Sequence, residues 1–161
     1  MQYMKKMMFC LFFLYAVILA EILFLSREPD PSFSVLEYLF VCSNLRPFET
    51  VLRYTVFFLK RRDLPSFCLM LFNLGGNFVL FLPMGFFLTV LFPRFRAFRK
   101  CFFPIFGTVL AVELLQGVLR VGIPDIDDLI VNMAGACVGM LFGKNFLSRC
   151  HRKPLGRIHF E

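Results

Sequence analysis

The sequence predicts an all-α bundle of membrane-spanning helices. Hydrophobic residues fill 58% of its 161 positions and charged residues only 18%. Soluble domains carry about 45–50% apolar and about 25% charged residues, and a soluble fold of this size has too little interior to hide 24 Phe. Stretches close to the roughly 20 apolar residues that cross a bilayer recur along the chain. The polar residues that interrupt them fall at helical spacing. The length suits a single integral membrane domain over 1–161. Low hydrophobicity, the mark of disorder, is missing.

The first expected span covers 7–25, behind Lys5 and Lys6. A basic start before an apolar run also suits a signal peptide. Here the run continues past Ala20 and Glu21 to Leu25 with no good small-x-small site, so it reads as an uncleaved anchor. In the loop 26–66, the stretches 35–45 and 51–59 are apolar but too short to cross. They read as interfacial or re-entrant helices, separated by Pro47. A five- or six-span reading stays open and would require distorted helices. The second span covers 67–92, with no charge between Asp63 and Arg94. The third covers 101–119. The fourth covers 129–148, with Lys144 snorkelling to the surface, and a basic tail follows over 149–161.

Lys and Arg set the expected orientation. With both termini cytoplasmic, the inner segments hold 11 basic residues in 32 positions and the outer ones 7 in 50. Lys60, Arg61 and Arg62 oppose this reading, and the acids support it. Attraction to anionic lipid headgroups accounts for the basic rim, so nucleic acid is not an expected partner. The six Cys form no CxxC pair and have no His at ligand spacing, so neither a metal site nor a cofactor is expected. Cys42 and Cys68 could share a compartment.

Polar residues inside the spans are the informative ones. Asn73 and Asn77 are four apart on one helical face, ahead of Pro83. Taken alone, they read as helix–helix glue beside a kink. Glu113, Gln116 and Arg120 share a face of the third span. A carboxylate there costs roughly 2.5–3.5 kcal/mol on insertion scales, so it must be protonated, paired or facing water. The bland reading is an ion pair with Arg120. Asp125, Asp127 and Asp128 open the fourth span, where the helix dipole favours acids. Asp128 and Asn132 continue into Gly135, Gly139 and Gly143, a small-xxx-small seam that packs against a helix and could serve a homo-oligomer. At 1.5 Å per residue, Asn73, Asn77, Glu113, Gln116 and Asn132 all lie roughly 4–15 Å below the same side of the membrane. Asn44, Arg46 and Arg53 belong to the loop above. The expectation is one polar pocket in the outer half of the bilayer, lined by Asn44, Asn73, Asn77, Glu113, Gln116, Arg120, Asp125, Asp127, Asp128 and Asn132.

At these residues the sequence resembles the VanZ-like family of teicoplanin-resistance-protein-like membrane proteins. The matching pieces are Asn44-Leu-Arg-Pro-Phe48, Asn73-Leu-Gly-Gly-Asn77 running into Phe81-Leu-Pro-Met-Gly85, Glu113-Leu-Leu-Gln116, and Asp125-Ile-Asp-Asp-Leu-Ile-Val-Asn132 followed by Gly135. They occur in the family's order over 44–143. The resemblance implies a small multi-span protein of the bacterial cell membrane, associated with lowered susceptibility to lipoglycopeptides such as teicoplanin.

Three functions remain open from sequence. One is a non-enzymatic pocket for the headgroup of an amphiphile: a membrane lipid, a lipid-linked wall precursor or a lipoglycopeptide. The second is a membrane-embedded enzyme using Glu113 and Asp128 as acid and base. No Ser or Cys stands beside a His for nucleophilic work, and His151 and His159 fall in the basic tail. The third is a structural or assembly role. A transporter fits less well, because the polar groups sit off the midplane and no internal repeat is evident.

Overall fold

The computed structural model describes residues 2–152. Most of the basic tail, 153–161 with His159, lies outside the described residues. The chain is helical throughout: α1 (Gln2–Ala20), α2 (Val35–Glu37), α3 (Glu49–Arg61), α4 (Leu64–Met70), α5 (Gly76–Leu91), α6 (Phe98–Leu119) and α7 (Ile126–Arg152). No strand occurs among the described residues. One isolated bridge pairs Asn44 with Asp125.

Four helices are long and apolar enough to cross a membrane: Tyr3–Leu25, Leu64–Leu91, Phe98–Leu119 and Ile126–Cys150. Each expected span is present and begins at least three residues earlier than its hydropathy suggested. The added residues include charged and polar ones, such as Lys5, Ser66, Arg99 and Asp127, that helical hydrogen bonding recruits regardless of polarity. At Asp63, for example, the carboxylate takes the Ser66 N–H at 2.9 Å and caps α4. Those Ser66 bonds hold the Asp63 carboxyl below the usual carboxylate range.

Side chains point away from the bundle along α1, where Phe13 is 71% and Leu14 55% exposed. An apolar outer surface this continuous marks contact with lipid. The chain is a multi-pass membrane protein of all-α bundle type.

Inside the bundle, α5 and α7 form the most intimate pair, with α1 against α5 and α6 against α7. Between such helices the hydrophobic effect is weak, so close packing does the work. A β-carbon added to Gly135 would stand 2.0 Å from the Phe78 carbonyl oxygen, and one on Gly139 1.8 Å from that of Leu82. On the other helix, one on Gly85 would stand 1.8 Å from the Ala136 carbonyl oxygen. The seam expected to pack against a helix is thus filled by α5 of the same chain. Phe81, Ile105, Val109, Ala136 and Met140 close the core beside it.

Pro83 removes the N–H that would reach the Val79 carbonyl. The Tyr15 hydroxyl of α1 enters this loosened turn and donates to the Leu80 carbonyl at 2.8 Å. All six cysteines are free thiols, Cys42 and Cys68 included.

The loop 26–66 contains two helical pieces, broken around Pro47 as expected. Ser34 and Glu37 form a capping box at the first, α2. The second, α3, is amphipathic: Leu52, Val56 and Leu59 are exposed along one side at i, i+4 and i+7, and Glu49 and Arg53 pair beside them at 3.2 Å.

Candidate functional site

Three π-helical turns shape the end of the bundle where α1 stops and α7 begins: Glu21–Leu25, Tyr38–Cys42 and Leu71–Gly75. A π turn widens the helix and leaves carbonyls with altered partners, a feature frequent at functional sites. All three contribute residues to one cavity of about 760 Å³. Its walls come from α1, the loop 26–66, α4–α5, α6 and α7.

Eight of the ten expected residues line it: Asn44, Asn73, Asn77, Glu113, Gln116, Asp125, Asp128 and Asn132. Two side chains among them answer π-turn or neighbouring carbonyls. Gln116 Nε2 donates to the Leu23 carbonyl at 3.0 Å, joining α6 to the end of α1. Asn73 Nδ2 donates to the Leu69 carbonyl at 2.8 Å.

The floor is acidic. Glu113 is buried and accepts from Asn132 Nδ2 at 3.3 Å and from the Asp125 N–H at 3.4 Å. Both are longer than a usual N–H···O contact. Asp128 is met by the Asn77 carboxamide. Asp125 is better supplied, with the Asn44 carboxamide at 3.3 Å, the Thr50 hydroxyl, and the Asp127 N–H at 2.8 Å.

Two expected residues do other work. Asp127, only 1% exposed, points out of the cavity toward the loop. Its carboxylate accepts the backbone N–H groups of Phe48, Thr50 and Val51. Those are the free donors at the start of α3, where Phe48 itself is left-handed at φ 67° and offers no side-chain cap. Asp127 is thus a cap supplied from another helix.

Arg120 was expected on the Glu113 face. Helix α6 ends at Leu119, and Arg120 turns left-handed at φ 57°. That turn swings its side chain out of helical register, and Nη1 donates to the Phe33 carbonyl at 2.8 Å. Arg120 anchors the loop and forms no ion pair with Glu113. Among the described residues the one ion pair is Arg53 with Glu49.

Sequence reasoning missed Arg27, Thr50 and Tyr54 as lining residues. Arg27 carried a faint signal as a cation two residues beyond the first span. Thr50 and Tyr54 carried none, because only the docking of α3 by Asp127 turns them inward. No group of three His, Cys, Asp or Glu among the described residues converges as a metal site.

Comparison with known proteins adds a family. The model described as VanZ/LLP1 matches residues 12–147, most of the chain. No curated protein and no solved structure matches.

Proposed function

The chain belongs to the VanZ/LLP1 family, and from that premise we propose that it binds the headgroup of a membrane amphiphile in the cavity between its spans. One observation carries the reading. A cavity of about 760 Å³ inside an apolar bundle is lined by Glu113, Asp125 and Asp128, none of which has a Lys or Arg ion-pair partner among the described residues. Carboxylates in a membrane are retained for a partner or a pathway. Carboxylates and carboxamides are suited to the hydroxyl and amide groups of headgroups.

On the basic-residue distribution both termini face the cytoplasm, which puts the cavity in the outer half of the bilayer. The exposed apolar face of α3 rests on that outer leaflet. A lipid, a lipid-linked wall precursor or a lipid-tailed glycopeptide reaches the cavity from there, and the tail stays among lipid chains.

Protein purified from native membranes in mild detergent should retain amphiphile, identified by native mass spectrometry. Glu113→Gln and Asp128→Asn keep the shape, remove one charge each, and should lose most of it. Equal retention by all three proteins would sink the reading. A role in the envelope predicts a second result. Cells expressing wild type should resist teicoplanin but not vancomycin, which has no lipid tail, and both variants at equal membrane level should lose that protection. Unchanged susceptibility would remove the antibiotic from the set of ligands.

A further inference from the structure

The cavity floor has more hydrogen-bond acceptors than donors. Glu113 is served only by two long contacts, at 3.3 and 3.4 Å. Asn132, 2% exposed, uses its Nδ2 on Glu113 and leaves Oδ1 with no partner. Asp128 lies one helical turn before Asn132 on the same face of α7 and lines the same cavity. A buried acceptor without a donor is costly, and a buried carboxylate without a countercharge is more so. Water would supply donors but no charge.

No Lys or Arg among the described residues forms an ion pair with these carboxylates. Arg27 lines the cavity, yet it makes no hydrogen bond or ion pair with any described residue. Its field reaches Glu113 and Asp128 only through space. Its Nη1 stands 3.0 Å from where a β-carbon on Gly122 would be, which places the guanidinium beside the α6–α7 turn. The site therefore has an acidic, donor-poor floor and two cations, Arg53, which is paired with Glu49, and Arg27, whose own donors are unused.

We infer that the occupant is zwitterionic, with a primary ammonium seated among Glu113, Asp128 and Asn132 Oδ1 and an anionic phosphate facing Arg27. An ammonium brings three N–H donors and one positive charge: the charge faces Glu113 and Asp128, which have no ion-pair partner, and one donor reaches the unpartnered Asn132 Oδ1. A bare metal ion fits less well, because no three metal-binding side chains converge there. A quaternary ammonium has the charge but no N–H to give. Amine and phosphate joined by a short linker are the chemistry of an aminophospholipid headgroup. This inference rests on the headgroup-binding reading above and names its ligand class.

The test uses the full chain in nanodiscs of phosphatidylglycerol containing a minor fraction of either phosphatidylethanolamine or phosphatidylcholine. Lipid retained on release into detergent is counted by native mass spectrometry. Wild type should retain the ethanolamine lipid about tenfold over the choline lipid, the value of charge-assisted hydrogen bonds that methylation removes. Asp128→Asn should bring the two close to parity, and Arg27→Gln should weaken both alike, since both carry the phosphate. Equal retention of the two lipids by wild type overturns the ammonium assignment and leaves headgroup binding standing. Retention of neither lipid, together with no amphiphile from native membranes, overturns both. If Asp128→Asn fails to fold, the comparison on wild type decides alone.

Discussion

Replacing Gly139 by alanine should destabilise the bundle by more than about 3 kcal/mol. The added carbon would stand 1.8 Å from the Leu82 carbonyl oxygen and 3.1 Å from the Phe86 backbone nitrogen. Both neighbours are backbone of α5, so no rotamer change relieves the contact. The helices must separate, and separation forfeits the dispersion contacts that hold membrane helices together. Gly107 of α6 is the control: nothing lies within 4 Å of its added β-carbon. There alanine should be neutral or stabilising by about 0.5–1 kcal/mol through helix propensity. Thermal unfolding in one detergent, followed by fluorescence-detected size exclusion, separates the two. Gly139→Ala melting with wild type would show that the α5–α7 seam does not hold the fold.

The second large effect is expected at Asp127. Alanine there removes the acceptor of three backbone N–H groups at the start of α3, in a site 1% exposed. Losing an N-cap costs about 0.5–2 kcal/mol, and each buried donor left alone about 1–3. A combined loss of about 3 kcal/mol or more follows, confined to one element. Hydrogen exchange over 48–61 should therefore accelerate by about a hundredfold or more, and α1, α5 and α7 should keep their protection. Asp128→Asn, one residue on, should leave exchange over 48–61 at the wild-type rate, because Asp128 faces the cavity and bonds no part of α3. Slow exchange in Asp127→Ala would refute the capping assignment. Undocking α3 also carries Thr50 and Arg53 away from the cavity, so amphiphile retention should fall with it.

These two positions show where sequence reasoning stops. Gly139 was legible as part of a small-residue seam, because the spacing Gly135-x3-Gly139-x3-Gly143 marks a helix-packing face. What packs there was not legible, since spacing says nothing of the partner, and the structure places α5 on it. Asp127 was legible as an acid at the start of a span, grouped with Asp125 and Asp128. Along a helix start, adjacent residues point about 100° apart, and one carboxylate faces the loop while its neighbours face the cavity. Arg120 failed for a related reason. Its helical spacing from Glu113 holds only while the helix continues, and α6 ends one residue earlier.

Composition and residue spacing were enough for the fold class, the four spans, the break at Pro47 and the gathering of carboxamides and carboxylates at one end. Apolar run length and helical periodicity are local properties, and the bilayer forces every crossing segment to satisfy its own backbone. The rest came from packing: the three π turns around the cavity, the capping of α3 from α7, the Tyr15 hydroxyl at the Pro83 turn, and the stranded Arg27. Each depends on a contact between residues far apart in the chain. Such contacts are set by how closely two helices approach and by which buried groups are left without partners, and neither is written in the spacing of a single segment.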